Sequence, residues 1–409
     1  MNKVWINISF VYLVIVALLG TFLRYMSFNL TDLNYSYLLH AHSHIAFLGW
    51  LFNIFFTILV YTFLNHEYRD KKKYQKFFWF TQLANVGMLV SFSVQGYGLY
   101  SIAFSTLHIL LSFYFAIQFL SDAGKNPLNK TKNYLSFGFV KASVIFMLIS
   151  ALGPLSLGPI ISLKGVSSEL YYNAIYFYLH FQYNGWFSFA VLALFFRFLE
   201  KNNINFSFRM ANIFYYCMLV SCIPSYLLSV LWMKPGLTIY TIAGLSAFIQ
   251  LIGLIFLVII IFKIKNELLK KYGEIVSLLM FIALFCFFTK VILQQLAAIP
   301  FVADKVYQSR NFIIGYMHMV FIGFITFYLI GYLITENIMP RRKILKTAMK
   351  LIVFGFITSE ITLFVQGFIG NGSVAFLSMH MQLLFYASLI TAIGIVVLTF
   401  NQLMPKSSG

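Results

Sequence analysis

Long apolar stretches, broken at short intervals by clusters of charged and turn-forming residues, dominate the chain. Roughly 20 consecutive apolar residues are enough for a helix to cross a bilayer. The breaks leave twelve such stretches, near residues 5–24, 36–64, 75–98, 100–121, 134–157, 170–198, 208–230, 236–264, 272–297, 310–335, 346–369 and 376–401. The pattern predicts an all-α, polytopic membrane protein of about 12 transmembrane helices, forming a single transmembrane domain over residues 1–409. The stretch after Lys3 is long enough to span and has no clear small-residue cleavage site, so it reads as an uncleaved first helix.

Composition narrows the solvent. Of 409 residues, 61% are hydrophobic and 10% charged, with mean hydropathy +0.84, which excludes a soluble domain of ordinary composition and makes the lipid bilayer the main partner. The net charge of +18 is explained by where the cations fall, with no nucleic acid required. With the N-terminus inside, the inner connections hold Lys3, then Arg69, Lys71, Lys72, Lys73 and Lys76, then Lys125, Lys130 and Lys132. They continue with Arg197, Lys201 and Arg209, then Lys263, Lys265, Lys270 and Lys271, then Arg341, Arg342, Lys343, Lys346, Lys350 and Lys406. The outer side holds only Arg24, Lys164, Lys234, Lys305 and Arg310. The positive-inside rule therefore places both termini in the cytoplasm, for a multi-pass protein of the cell membrane.

Cys217, Cys222 and Cys286 fall within predicted spans without CxxC or zinc-knuckle spacing, and read as small buried side chains. The longest outer connection, Gly153 to Glu169, contains Gly153, Pro154, Gly158 and Pro159, a composition suited to an ordered lid more than to another helix. A weak internal repetition links His42-Ser-His44 with Met317-His318-Met319, each followed within a few residues by glycine in an aromatic run.

Histidine placement is the main chemical clue. His44, His108, His180, His318 and His380 lie in the second, fourth, sixth, tenth and twelfth spans, all entering from outside under this topology. Counted from the predicted span starts, they lie roughly 6 to 15 Å deep. A single membrane histidine is often only a hydrogen-bonding group between helices. Five helices bearing imidazole at similar depth point to a ligand layer for heme or metal, because ionisable groups in lipid are costly and imidazole is the common ligand of iron, copper and zinc. His40 and His42 sit slightly higher on the second span. Residues four apart share a helix face, so His40 and His44 point one way and His42 another. His66, beside Glu67 and Arg69 in an inner loop, reads as a solvated residue.

On the sixth span His180 and Tyr183 lie three apart and can share a pocket, in a segment, Tyr178 to Trp186, that is unusually polar and aromatic for a span. Lys141 is placed to snorkel. Glu360, the one acidic residue near the middle of a predicted span, and Lys290, with Gln294 one turn later, are candidates together with Tyr183 for a proton path; a structural ion pair or interhelical hydrogen bond is an equal alternative.

Twelve helices with histidines on the second, sixth and tenth resemble subunit I of the heme-copper oxidases and nitric oxide reductases. The stretches His40-Ala-His42-Ser-His44 through Gly49-Trp50, and Gly315-Tyr316-Met317-His318 through Gly323, are similar to the histidine-bearing helices of that superfamily and of its NnrS-type heme membrane proteins. The resemblance implies a heme-copper oxidase-like bundle with heme held by His42 or His44 and by His318. It also places His180 on the helix that holds copper in the oxidases. The histidine layer itself makes His40, His108, His180 and His380 the metal candidates, and a redox role calls for an electron-donor protein or quinol as partner. Two departures count against oxygen reduction and proton pumping. The seventh span has no histidine pair and the tenth only His318, so the three-histidine copper site is absent, and Tyr183 follows His180 by three positions where the oxygen reductases have four. The expectation is a membrane protein that binds heme, alone or together with copper, and handles redox chemistry or nitric oxide, an oxidoreductase if it turns over. The alternative class is a 12-helix secondary transporter, for which Pro224 in the seventh span is the supporting feature.

Overall fold

The computed structural model describes residues 1–129, 135–370 and 374–404, and the described residues contain helices and connections with no strand. Each predicted stretch becomes one long helix: α1 (Lys3–Tyr25), α2 (Tyr35–Phe63), α3 (Lys72–Gln95), α4 (Leu99–Gly124), α5 (Leu135–Lys164), α6 (169–201), α7 (Phe208–Met233), α8 (Leu237–Tyr272), α9 (Glu274–Ala297), α10 (Arg310–Thr335), α11 (Lys343–Ile369) and α12 (Val374–Leu403). Among the described residues, eleven helices are long and apolar enough to cross a membrane. The exception is α6, long enough but diluted by Tyr176, Tyr178, His180, Gln182, Tyr183 and Asn184. Lys130, Lys132 and Lys406, part of the expected cytoplasmic charge, lie outside the described residues.

Local chemistry sets the helix ends. The Asn34 side chain accepts from the backbone N–H of Ser36 and Tyr37 and so starts α2, while Ser168 accepts from Tyr171 N–H and starts α6. Gly96 stops α3 at φ +60°, a conformation that costs a side-chain-bearing residue but not glycine. The stretch read as a lid is instead helical. Leu152–Lys164 continues α5 after a break at Ala151, with Pro154 in its first turn. Gly153 is there for contact, since a Cβ on it would stand 2.5 Å from the Ala174 carbonyl at the start of α6.

The helices sort into two compact units, one of Met1–Asn126 with Glu336–Gly409, the other of Pro127–Thr335. The first therefore holds α1–α4, α11 and α12; the second holds α5–α10. Aromatic side chains fill the first around Trp5, Phe56, Phe77, Phe78 and Phe115, with Trp5 stacked on Phe78 at 4.9 Å. The second unit packs Phe139 against Phe189, Phe196 and Phe214. Between membrane helices such dispersion contacts, with interhelical hydrogen bonds such as Tyr74 to Asp122 at 2.9 Å, supply the cohesion that the hydrophobic effect supplies in water.

Three helices depart from α geometry in the same way. After His44, α2 runs as π-helix over Ile45–Phe52; after His180, α6 does so over Phe181–Phe187; after His318, α10 does so over Met319–Thr326. Beyond each π stretch the side chains are enclosed: Asn53–Val60, Ser188–Leu199 and Phe327–Ile334 are buried at every position. The histidine-bearing halves that precede them keep most positions partly accessible.

Candidate functional site

Each π stretch follows one sequence pattern, a histidine, four residues, a glycine and an aromatic: His44 to Gly49-Trp50, His180 to Gly185-Trp186, His318 to Gly323-Phe324. A π turn carries one residue more than an α turn and loosens the local backbone ladder, a feature common at functional sites. Polar side chains take the loosened carbonyls: Asn53 donates to Gly49 O at 2.8 Å, and Ser188 donates to Tyr183 O. The glycines admit a neighbour. A Cβ at Gly49 would stand 2.9 Å from the Tyr12 ring of α1, and one at Gly185 would stand 2.5 Å from Phe146 of α5.

In the first unit α2 presents three imidazoles. His42 lies over Gly20 of α1, and its Nδ1 is 3.0 Å from Val16 O; His44 Nδ1 is 2.9 Å from His40 O, one turn back on its own helix. A carbonyl partner makes Nδ1 the protonated nitrogen of each ring, which leaves Nε2 as a lone-pair donor. No hydrogen bond engages either Nε2 among the described residues. His44 also stacks on Phe92 at 4.1 Å, while His40 meets Tyr97 edge-on at 4.6 Å and pairs through Nε2 with Ser36 Oγ at 3.3 Å. His40 and His44 thus share one aromatic wall, Phe92 of α3 and Tyr97 just beyond its end, with His42 turned to α1, as the spacing predicts.

His108 and His380 do not join them at one level. The His108 ring meets Phe52 at 4.7 Å, eight residues beyond His44 along α2. The cause is that α3 ends level with His40, so α4 begins deeper than α2 and a count from helix starts misleads. His380 lies the other way, five residues before Phe385, which packs on Tyr25 and Phe28 at the far end of α1. Both imidazoles are buried, and His108 Nε2 and His380 Nδ1 lack a hydrogen-bond partner among the described residues. Glu360 is 9% exposed, and neither of its carboxylate oxygens has a partner among them.

In the second unit α6 and α10 meet through Tyr183 against Tyr316 and Phe321, so His180 and His318 stand within about a turn of one level. His318 is half-buried and ends the α-helical part of α10. His180 is 1% exposed and has both nitrogens engaged: Nε2 donates to Cys222 O at 2.8 Å, and Nδ1 accepts from Asn184 Nδ2 at 3.0 Å. That carbonyl is available because Pro224 turns α7 into a 3₁₀ helix, in which Tyr226 N–H bonds Ile223 O and passes over Cys222. Asn184 continues the chain through Gln294, whose Nε2 is 3.4 Å from Asn184 Oδ1, to Lys290, whose Nζ donates to Gln294 Oε1 at 3.0 Å. Lys290 is 1% exposed and has no carboxylate partner among the described residues.

Sequence reasoning named His180, Tyr183 and Lys290 but missed Asn184, Cys222 O and Gly20, which orient the histidines. Among the described residues no group of three or more His, Cys, Asp or Glu side chains is placed to hold a metal ion. No protein-family profile matches the chain, and no curated protein matches it.

Proposed function

We propose that this chain is a heme-binding integral membrane protein, a divergent relative of the heme-copper oxidase superfamily, with both termini on the cytoplasmic side and a role in redox chemistry or nitric oxide handling. One observation carries the reading: His42 and His44 each bind a backbone carbonyl through Nδ1 and keep Nε2 as a lone pair, the state of an iron-ligating imidazole. Two further features support it. The histidine-bearing half of α2 is less enclosed than its other half, and His318 stands in the same place on α10, before a π stretch and a glycine. Heme bound there would supply the iron chemistry, and the protein residues would orient the ligand rings. Copper is less favoured, because both nitrogens of His180 are already committed. A quinol or a small redox protein is the electron donor this reading calls for.

Protein expressed with ample heme and purified should show a reducible Soret band that shifts with nitric oxide or carbon monoxide. His318→Ala should convert the spectrum to high spin or lose heme, with His66→Ala unchanged. Absence of both Soret absorption and iron sinks the reading.

One observation favours a second class. A proline-broken helix beside a buried lysine without a carboxylate is a plan used by secondary transporters. Substrate uptake by cofactor-free proteoliposomes would establish that class in place of the first.

A further inference from the structure

A cavity of about 440 Å³ opens between α3 and α4, lined by Lys72, Lys73, Lys76, Phe77, Phe80, Leu111 and Tyr114. Its lining is sorted along the helix axes. Lys72, Lys76 and Phe80 are spaced four apart and share one face of α3, with Lys73 and Phe77 beside them. The helices run antiparallel with Phe77 stacked on Tyr114 at 6.2 Å, which brings Leu111 level with Phe80 one turn further in. Cations therefore gather at the helix ends, and an aromatic and aliphatic wall follows directly beneath them. Lys73 is held in place by Asp122 at 2.5 Å and Gln118 at 2.9 Å, whereas Lys72 and Lys76 have no acidic partner among the described residues. Phe80 is 54% exposed and Tyr114 45%, which fits a wall that faces lipid.

We infer that this groove is a binding site for an anionic glycerophospholipid, with the phosphodiester between Lys72 and Lys76 and an acyl chain along Phe80, Leu111 and Tyr114. Charge complementarity selects the headgroup, since basic pockets between membrane helices favour anionic lipid. The head-to-tail order of the lining selects a lipid over a free anion, because a small anion has no use for the apolar wall.

The test is native mass spectrometry of the full chain in neutral detergent, titrated with phosphatidylglycerol or phosphatidylcholine. Phosphatidylglycerol should be retained in preference, and the double variant Lys72→Gln/Lys76→Gln should weaken that preference roughly thirtyfold. Leu111→Trp, which fills the wall and spares the lysines, should also weaken retention; Lys263→Gln/Lys265→Gln should not. Unchanged melting of each variant in phosphatidylcholine shows that it is folded. Equal retention of both lipids, wild-type retention by the double variant, or displacement by inorganic phosphate at equal concentration each overturns the assignment, the last by making the groove a simple ion site.

Discussion

Replacing Gly20 by alanine tests the orientation of His42 with a single methyl group. The added Cβ would stand 2.9 Å from His42 Cε1, where ordinary contact begins at 3.4 Å, so the ring must yield by about 0.5 Å. The ring has little freedom, because its Nδ1 is bonded to Val16 O at 3.0 Å on the same helix that carries Gly20. Overpacking costs about 1–3 kcal/mol, and weakening the hydrogen bond costs about 1 kcal/mol. Against these, alanine gains up to about 1 kcal/mol over glycine in helix propensity. The expected sum is a loss of about 1–3 kcal/mol, read as a lowered unfolding midpoint in detergent. Gly244→Ala, within α8, is the control. Its Cβ meets only Ala298 Cβ at 3.7 Å, an ordinary contact, so the propensity gain dominates and the midpoint should rise. If His42 ligates iron, Gly20→Ala should also weaken heme retention by about 10- to 100-fold, the usual penalty for disturbing a ligand's support. Shifts of the same sign for both variants, with an unchanged spectrum, would refute the packing of His42 on α1.

Pro224→Ala should let Tyr226 N–H compete for Cys222 O, which already accepts from Ser225 Oγ at 3.0 Å, weaken the His180 bond, and appear as a shifted His180 signal in nitrogen NMR; an unaltered signal would show that the 3₁₀ turn does not depend on the proline. Gly355→Ala should destabilise the α11–α12 contact by about 1–3 kcal/mol, since its Cβ would stand 2.6 Å from Ala387 O, backbone that cannot rotate away. Denaturant titration reads this directly, and a neutral result rejects the α11–α12 contact. Lys290→Met should stabilise the fold or leave it nearly neutral, because a buried cation without a carboxylate contributes little beyond its bond to Gln294. It should abolish any proton-coupled turnover, and turnover at the wild-type rate would remove Lys290 from the path.

Helix number and extent were legible because lipid demands long apolar runs, and the departures come from particular residues. The lid expected at Gly153 to Glu169 rested on glycine and proline as breakers, whereas Gly153 serves close packing and Pro154 occupies a tolerated first turn. The equal depth expected of five histidines assumed flush helix starts, and Tyr97 against His40 shows that α4 starts lower. The threefold pattern at His44, His180 and His318 is present in the sequence, and the internal repetition read there covers only its first and third copies. His180's bond to Cys222 O was not legible, since it requires a carbonyl released on another helix.

The π stretches also decouple direction from sequence. An α-helix turns about 100° per residue, so a helix that spends one extra residue in a π turn rotates everything before it by about that angle relative to everything after it. The enclosed half of α2, from Asn53 on, is locked by neighbours on all sides, and the half bearing His40, His42 and His44 takes its azimuth from the length of the stretch between. Deleting one residue from Ile45–Phe52 would leave every histidine in the protein yet aim all three at different neighbours. The aim of these imidazoles is therefore written in chain length, where a substitution scan cannot see it.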